Sequence, residues 1–112
     1  MARIVVIEDE TDQAELYRLA LQDAGHDIVL LDEARPVPGP VGVIILDERL
    51  GSRSGSALIP SLRREHPAAR ILMLTADPDV AESAVEKGAD LGRMKPLRLA
   101  QLVADVETLL KR

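Results

Sequence analysis

The sequence predicts an α/β protein of three layers, a doubly wound parallel sheet of five strands between helices. Three observations carry that prediction. Ile4-Val5-Val6-Ile7, Ile28-Val29-Leu30-Leu31, Val43-Ile44-Ile45-Leu46 and Ile71-Leu72-Met73-Leu74 are unbroken apolar runs, too short for helices and mostly rich in β-branched residues, as strands covered on both faces are. Apolar residues at helical spacing recur between and after them, most clearly at Leu99, Leu102, Val103, Val106, Leu109 and Leu110. Acidic or polar residues close strand after strand, and in such folds strand ends meet at the carboxyl edge of the sheet, where ligands bind.

The chain of 112 residues is one domain, with 46% hydrophobic and 29% charged residues. A net charge of −5 argues against a nucleic-acid-binding surface, which would show a basic stripe. Without cysteine there is neither a disulfide framework nor a thiolate metal site. Met1-Ala2-Arg3 leads straight into a strand, with no signal peptide and no apolar run long enough to span a bilayer, so the expectation is a cytoplasmic protein off the membrane. The core has to be aliphatic, because Tyr17 is the sole aromatic residue.

In order, Arg3 precedes the first strand, which runs into Glu8-Asp9-Glu10. Asp12-Gln13-Ala14-Glu15 has the form of a capping box with Asp12 as the cap. The following helix places Leu16, Leu19, Ala20 and Ala24 on one inward stripe and stops at Gly25. After the second strand, Pro36, Pro38 and Pro40 alternate between Asp32 and Gly42, where a parallel crossover normally carries a helix. An extended connection with at most one helical turn is expected there. Past Asp47, Gly51 and Gly55 bracket a loop, and a helix begins near Ser56 with Leu58, Ile59 and Leu62 facing inward, Pro60 in its first turn and Pro67 past its end. Val80, Ala81, Ala84 and Val85 mark a short helix closed by Gly88. Leu91 to Met94 is a weaker fifth strand, interrupted by Gly92 and ending at Lys95-Pro96. His26, His66, Asp105 and Glu107 read as surface residues, Met73 and Met94 as core.

Asp47 closes the most apolar run, and a carboxylate there cannot lie deep in the core unpaired. With Glu8 and Asp9 it forms an acidic cluster on two adjacent strand ends. Two carboxylates ~5 Å apart repel by about 3 kcal/mol at an effective dielectric near 20, so a compensating cation is required. Lys95 and a divalent ion are the candidates, and oxygen-only ligands with open positions suit Mg²⁺. Thr75 offers a hydroxyl donor and Lys95 a point charge to a phosphoryl oxygen, while one carboxylate can attack phosphorus. Singly, each has a plainer reading: a helix-capping acid, a turn threonine, a solvated lysine. Their ordered arrival on successive strand ends outweighs those readings.

With Glu8-Asp9 after the first strand, Asp47 after the third, Thr75-Ala76 after the fourth, Lys95-Pro96 after the fifth, and Gly55 and Gly88-Ala89-Asp90 in place, the chain resembles the response-regulator receiver domains of two-component signalling from end to end. The resemblance implies a flavodoxin-like strand order 2-1-3-4-5 and a phosphoacceptor switch rather than a turnover enzyme. It implies that Asp47 accepts a phosphoryl group from a phosphohistidine of a sensor kinase or histidine phosphotransfer protein. It further implies that Glu8, Asp9, Asp47 and the backbone carbonyl of Arg49 hold Mg²⁺, that Thr75 and Lys95 bind phosphoryl oxygens, and that the bond before Pro96 is cis. Output then passes through a downstream protein, with a homodimer left open. Residues 1–112 read as the receiver alone, with no output domain in the chain.

Three departures from the family stand out. The second helix is missing or reduced, the fourth is short, and Gly92 stands where most members carry a switch Tyr or Phe. Gly92 keeps a second reading alive, a degenerate receiver acting as a phosphorylation-independent interaction module. A Mg²⁺-dependent phosphotransfer or hydrolytic enzyme is a third, disfavoured because 112 residues leave no room for a cap over a substrate pocket. Arg49 and Asp77, each two residues past a site residue, are expected at the mouth of one pocket, where an opposite-charge pair could gate water.

Overall fold

A computed structural model describes residues 2–32 and 39–112. Its elements are β1 (Arg3–Ile7), α1 (Thr11–Asp23), β2 (Asp27–Leu31), β3 (Val43–Asp47), α2 (Ile59–Glu65), β4 (Arg70–Thr75), α3 (Pro78–Lys87), β5 (Leu91–Met94) and α4 (Leu99–Leu110). The strands form one parallel sheet in the order β2-β1-β3-β4-β5, as expected for a doubly wound fold. Alternating side chains divide the core into two layers. Val5, Ile7, Ile44, Leu46, Ile71 and Met73 pack with α2 and α3, whereas Ile4, Val6, Val43, Ile45, Leu72 and Leu74 pack with α1 and α4. Every residue of β3 is buried, which is why its sequence shows no polar alternation.

The aliphatic runs of the sheet lie where the sequence places them; the helices need corrections. Helix α1 buries Ala14, Tyr17 and Leu21, while Leu16 and Leu19 are 48% and 52% exposed. The cap differs from the expectation as well. Glu10 caps the first turn, accepting from the N–H groups of Asp12 and Gln13, so Asp12 is already helical rather than the cap. Tyr17, spaced three from Ala14 and four from Leu21, then supplies the bulk of the buried stripe.

Asp105 and Glu107 are not a solvated face. Asp105 takes both arms of Arg93 at 2.8 and 2.9 Å and also accepts from Gln101. Glu107 meets Nε2 of His26 at 2.6 Å, with the imidazole itself buried, so His26 is a tie between α4 and the start of β2. Met94, expected in the core, is exposed, whereas Met73 is fully buried.

A 3-10 turn over Ser56–Leu58 leads into α2, whose first turn holds Pro60 and which ends before Pro67. Among the described residues no helix lies between β2 and β3; the extended connection expected there falls largely on residues 33–38, outside them. Helix α3 has ten residues, fewer than α1 or α4. It rests directly on β5, where a Cβ built on Gly92 would lie 2.3 Å from the carbonyl oxygen of Ala81. The missing side chain on β5 is thus matched by helix backbone in its place.

At the amino edge of the sheet, Arg63 of α2 donates to the carbonyls of Pro67, Ala69 and Gly88 and to Oδ2 of Asp90. Asp90 also accepts from the Ile71 amide at 2.8 Å. One guanidinium therefore pins α2, the start of β4 and the turn before β5 together.

Candidate functional site

Parallel pairing of β1 with β3 sets Ile7 opposite Leu46, so the next residues of each strand, Glu8 and Asp47, emerge side by side at the carboxyl edge. Both are buried, with exposures of 4% and 6%, and Thr75, the last residue of β4, is 3% exposed. Lys95, just past β5, forms an ion pair with Oδ1 of Asp47 and lies 3.9 Å from Oε2 of Glu8. Asp9 is exposed, and its Oδ2 accepts from the Gly51 amide at 2.7 Å. One carboxylate oxygen each from Glu8, Asp9 and Asp47 falls within 4.8 Å of the others.

The electrostatics of this corner are unbalanced. Oε2 of Glu8 is buried with no hydrogen-bond partner. Burial first, then the charge of Asp47, raises the Glu8 carboxyl to about 8, with Lys95 opposing the rise. Tyr17, buried behind the site, is pushed up to about 12 by burial and by Glu8, Asp47 and Glu10. An orphaned oxygen, three carboxylates and no soft donor are the coordination chemistry of a hard divalent cation, so the residues present fit Mg²⁺.

The second half of the site is a cavity of about 480 Å³ whose lining includes Asp47, Arg49, Thr75, Asp77, Val80 and Lys95. Oγ1 of Thr75 accepts from the Asp77 amide at 3.1 Å, which leaves its O–H to be donated elsewhere. Asp77 caps α3, accepting from the Asp79 amide at 2.9 Å. Arg49 and Asp77 thus share one cavity, with no ion pair between them in this structure. The Arg49 amide donates to Oδ2 of Asp47 at 3.1 Å. The Lys95–Pro96 peptide is cis, and the Lys95 amide donates to the Thr75 carbonyl.

Sequence reasoning missed the loop after Asp47. Arg49–Leu50 and Arg53–Ser54 pair as a small antiparallel ribbon around Gly51-Ser52. Glu48 closes its base, accepting from Ser54 Oγ and from the amide and hydroxyl of Ser56. A Gly-Ser pair is a hairpin signal, but flanking strands of two residues are too short to show a period.

Residues 4–107 match the response regulator receiver domain family. The chain belongs to that family. It is 33% identical to the transcriptional regulatory protein PcoR of Escherichia coli, over all of this chain and 53% of that protein. It is 31% identical to the transcriptional regulatory protein TcrA of Mycobacterium tuberculosis, over 98% of this chain and 46% of that one. The chain thus spans about half the length of these relatives. Among solved structures, a Francisella response regulator receiver domain superposes with a TM-score of 0.90 at 19% identity, covering 100% of this chain and 98% of that one, a likeness of fold. A Burkholderia pseudomallei response regulator, solved with a phosphorylated aspartic acid, a calcium ion and citrate, superposes with a TM-score of 0.88 at 28% identity, over 99% of this chain and 69% of that one. This receiver, a signalling domain of the two-component type, has no helix among its described residues long and apolar enough to cross a membrane.

Proposed function

We propose that this receiver is a phosphoacceptor switch that takes a phosphoryl group from a phosphohistidine of a sensor kinase or histidine phosphotransfer protein onto Asp47, and signals through altered binding of a downstream protein. The observation that carries the reading is Asp47, held by Lys95 beside a buried Glu8 oxygen that has no hydrogen-bond partner. An Asp47 oxygen bonds to phosphorus as the P–N bond of the donor breaks, and that electron pair leaves with the imidazole. Lys95 passes from the carboxylate to a phosphoryl oxygen, and Thr75 donates its hydroxyl to another. Glu8, Asp9, Asp47 and the Arg49 carbonyl would hold Mg²⁺, which neutralises charge on the phosphoryl group when bound. The phosphorylated aspartic acid of the Burkholderia relative, with its divalent cation, supports this assignment.

The test is incubation with acetyl phosphate and Mg²⁺ followed by intact mass. One stable phosphoryl adduct, lost in Asp47→Asn, is expected. No adduct would leave the phosphorylation-independent module, and rapid turnover of the donor that persists in Asp47→Asn would mean an enzyme.

That second reading is favoured by Gly92. With no side chain to turn inward behind Thr75, and with Ala81 backbone against it, an aromatic relay has no counterpart here. Under the phosphoacceptor reading, signalling instead runs through ordering of the loop near Thr75 and Asp77, or through another surface. Amide exchange with and without a beryllofluoride mimic should show changes there and little across Leu91–Lys95 and α4; large protection across the latter would overturn this route.

A further inference from the structure

We infer that the ribbon after Asp47 is a positioning device for the cation site, and that the Gly51 amide is its working end. This inference rests on the reading that Glu8, Asp9 and Asp47 hold Mg²⁺.

Asp9 differs from its two partners. Glu8 and Asp47 are buried, and Lys95 lies against both, whereas Asp9 is exposed and has no ion pair among the described residues. An exposed aspartate rotates about two side-chain bonds, and an unrestrained ligand loses that freedom when it binds a metal. Here the freedom is already removed. The Gly51 N–H donates to Asp9 Oδ2 at 2.7 Å, from a residue 42 positions away in the chain. One oxygen of Asp9 lies within 4.8 Å of oxygens of Glu8 and Asp47.

The amide is delivered by specific backbone geometry. Gly51 is the first of two residues between the ribbon strands and has φ +62°, while no residue other than glycine has positive φ among the described residues. Positive φ at the first central position alone, in a two-residue hairpin loop, is the pattern of a type II′ turn, and it requires glycine or a residue tolerant of the left-handed region. The base of the ribbon is fixed by Glu48, which binds Ser54 and Ser56, and by the Gly55 amide, which donates to the Glu48 carbonyl at 2.7 Å. The Arg49 amide meanwhile donates to Asp47 Oδ2. The same short ribbon therefore gives one backbone N–H to Asp47 at its base and one to Asp9 at its tip, and so sets the spacing between them. Hydrogen-bond partners that orient a metal ligand typically change metal affinity by about 10–100-fold when removed.

Titration calorimetry with Mg²⁺ alone tests the inference on three proteins. Gly51→Pro has no N–H and cannot adopt positive φ, and its Kd should rise about tenfold or more. Gly51→Asn keeps the N–H and carries one of the few side chains found at such turn positions, and its Kd should stay closer to wild type than that of Gly51→Pro. Equal affinities in wild type and Gly51→Pro would overturn the positioning role while leaving the cation site standing. No Mg²⁺ binding by the wild type would remove the cation site, and the inference with it. A measurement that needs no proline variant is the Gly51 amide resonance of the wild type. It should lie downfield, move upfield in Asp9→Ala, and stay downfield when Mg²⁺ is added. A return to the unbonded position on adding Mg²⁺ would show that the tie is broken in the loaded site, and would equally overturn the inference.

Discussion

Both edges of the sheet carry a carboxylate within reach of cations, and they treat it differently. At the amino edge, Asp90 accepts from Arg63 and from the Ile71 amide, with Arg70 3.5 Å from its other oxygen. Arg63 in turn is saturated by backbone carbonyls. At the carboxyl edge, Glu8 and Asp47 share Lys95 with Asp9 close by, and a buried oxygen of Glu8 has no hydrogen-bond partner. An acid whose bonds are complete holds elements together. An acid cluster left incomplete costs stability until a cation completes it.

Four changes would break or sharpen that contrast. The largest effect is on chemistry: Asp47→Asn should abolish the phosphoryl adduct on intact mass while the circular dichroism spectrum is unchanged. Removing one charge from a repelling cluster should also raise apo stability modestly, and Mg²⁺ should raise the melting temperature of the wild type more than that of the variant. Equal Mg²⁺ shifts would sink the metal assignment.

At the opposite edge, Arg63→Ala should behave in the reverse way. It leaves Asp90 with only Arg70 as a cation and several carbonyls short of a donor, for a loss of about 2–4 kcal/mol in urea denaturation with Mg²⁺ affinity unaltered. A loss below about 1 kcal/mol would mean that the two edges are not so different.

Next is pH. The folded protein holds the Glu8 proton up to about 8, whereas the ordinary value is 4.5. Between those values the folded state binds more protons than the unfolded chain, so this contribution is fully present below about 4.5 and is lost as pH rises towards 8. Apo stability should therefore fall across that window, and Glu8→Gln should flatten the slope. Parallel slopes in the two proteins would show that another group carries the dependence.

The smallest effect concerns Arg49 and Asp77, which line one cavity without pairing. If they close over the phosphoryl group, Arg49→Ala or Asp77→Ala should speed its loss by up to about tenfold, equivalent to about 1.4 kcal/mol of barrier. Non-additivity in the double variant is the signature of a gate; strictly additive rates, or unchanged lifetimes in both single variants, would refute it.

Much of the carboxyl edge was legible because burial and chemistry coincide there. A strand covered on both faces must be continuously apolar, and an acid that ends it is conspicuous; Asp47 and Glu8 could be picked out on those grounds alone. The amino edge was not legible. Arg63 and Asp90 are ordinary helix and turn residues until the fold brings positions 27 apart into contact, and Arg93 of β5 gives no hint of Asp105, 12 positions on. The buried face of α1 escapes the sequence for a related reason: Leu16 with Leu19 and Ala14 with Tyr17 and Leu21 lie on adjacent stripes, and only tertiary packing decides which is buried. His26 likewise looked inert until Glu107, 81 residues away, closed on it.

The seat of Ala81 on Gly92 carries one more consequence, for which substitutions this chain can accept. Alanine or anything larger at position 92 would overlap helix backbone rather than a pliable side chain, so the cost cannot be relieved by a change of rotamer. Restoring Tyr or Phe there is therefore not a one-step repair. It would have to arrive with a displaced or re-registered α3, and α3 is capped by Asp77, whose amide is bonded to Thr75. An aromatic residue could return only by way of the signalling loop itself, and any chimera that grafts one onto this scaffold should carry Thr75 to Gly92 as a single block.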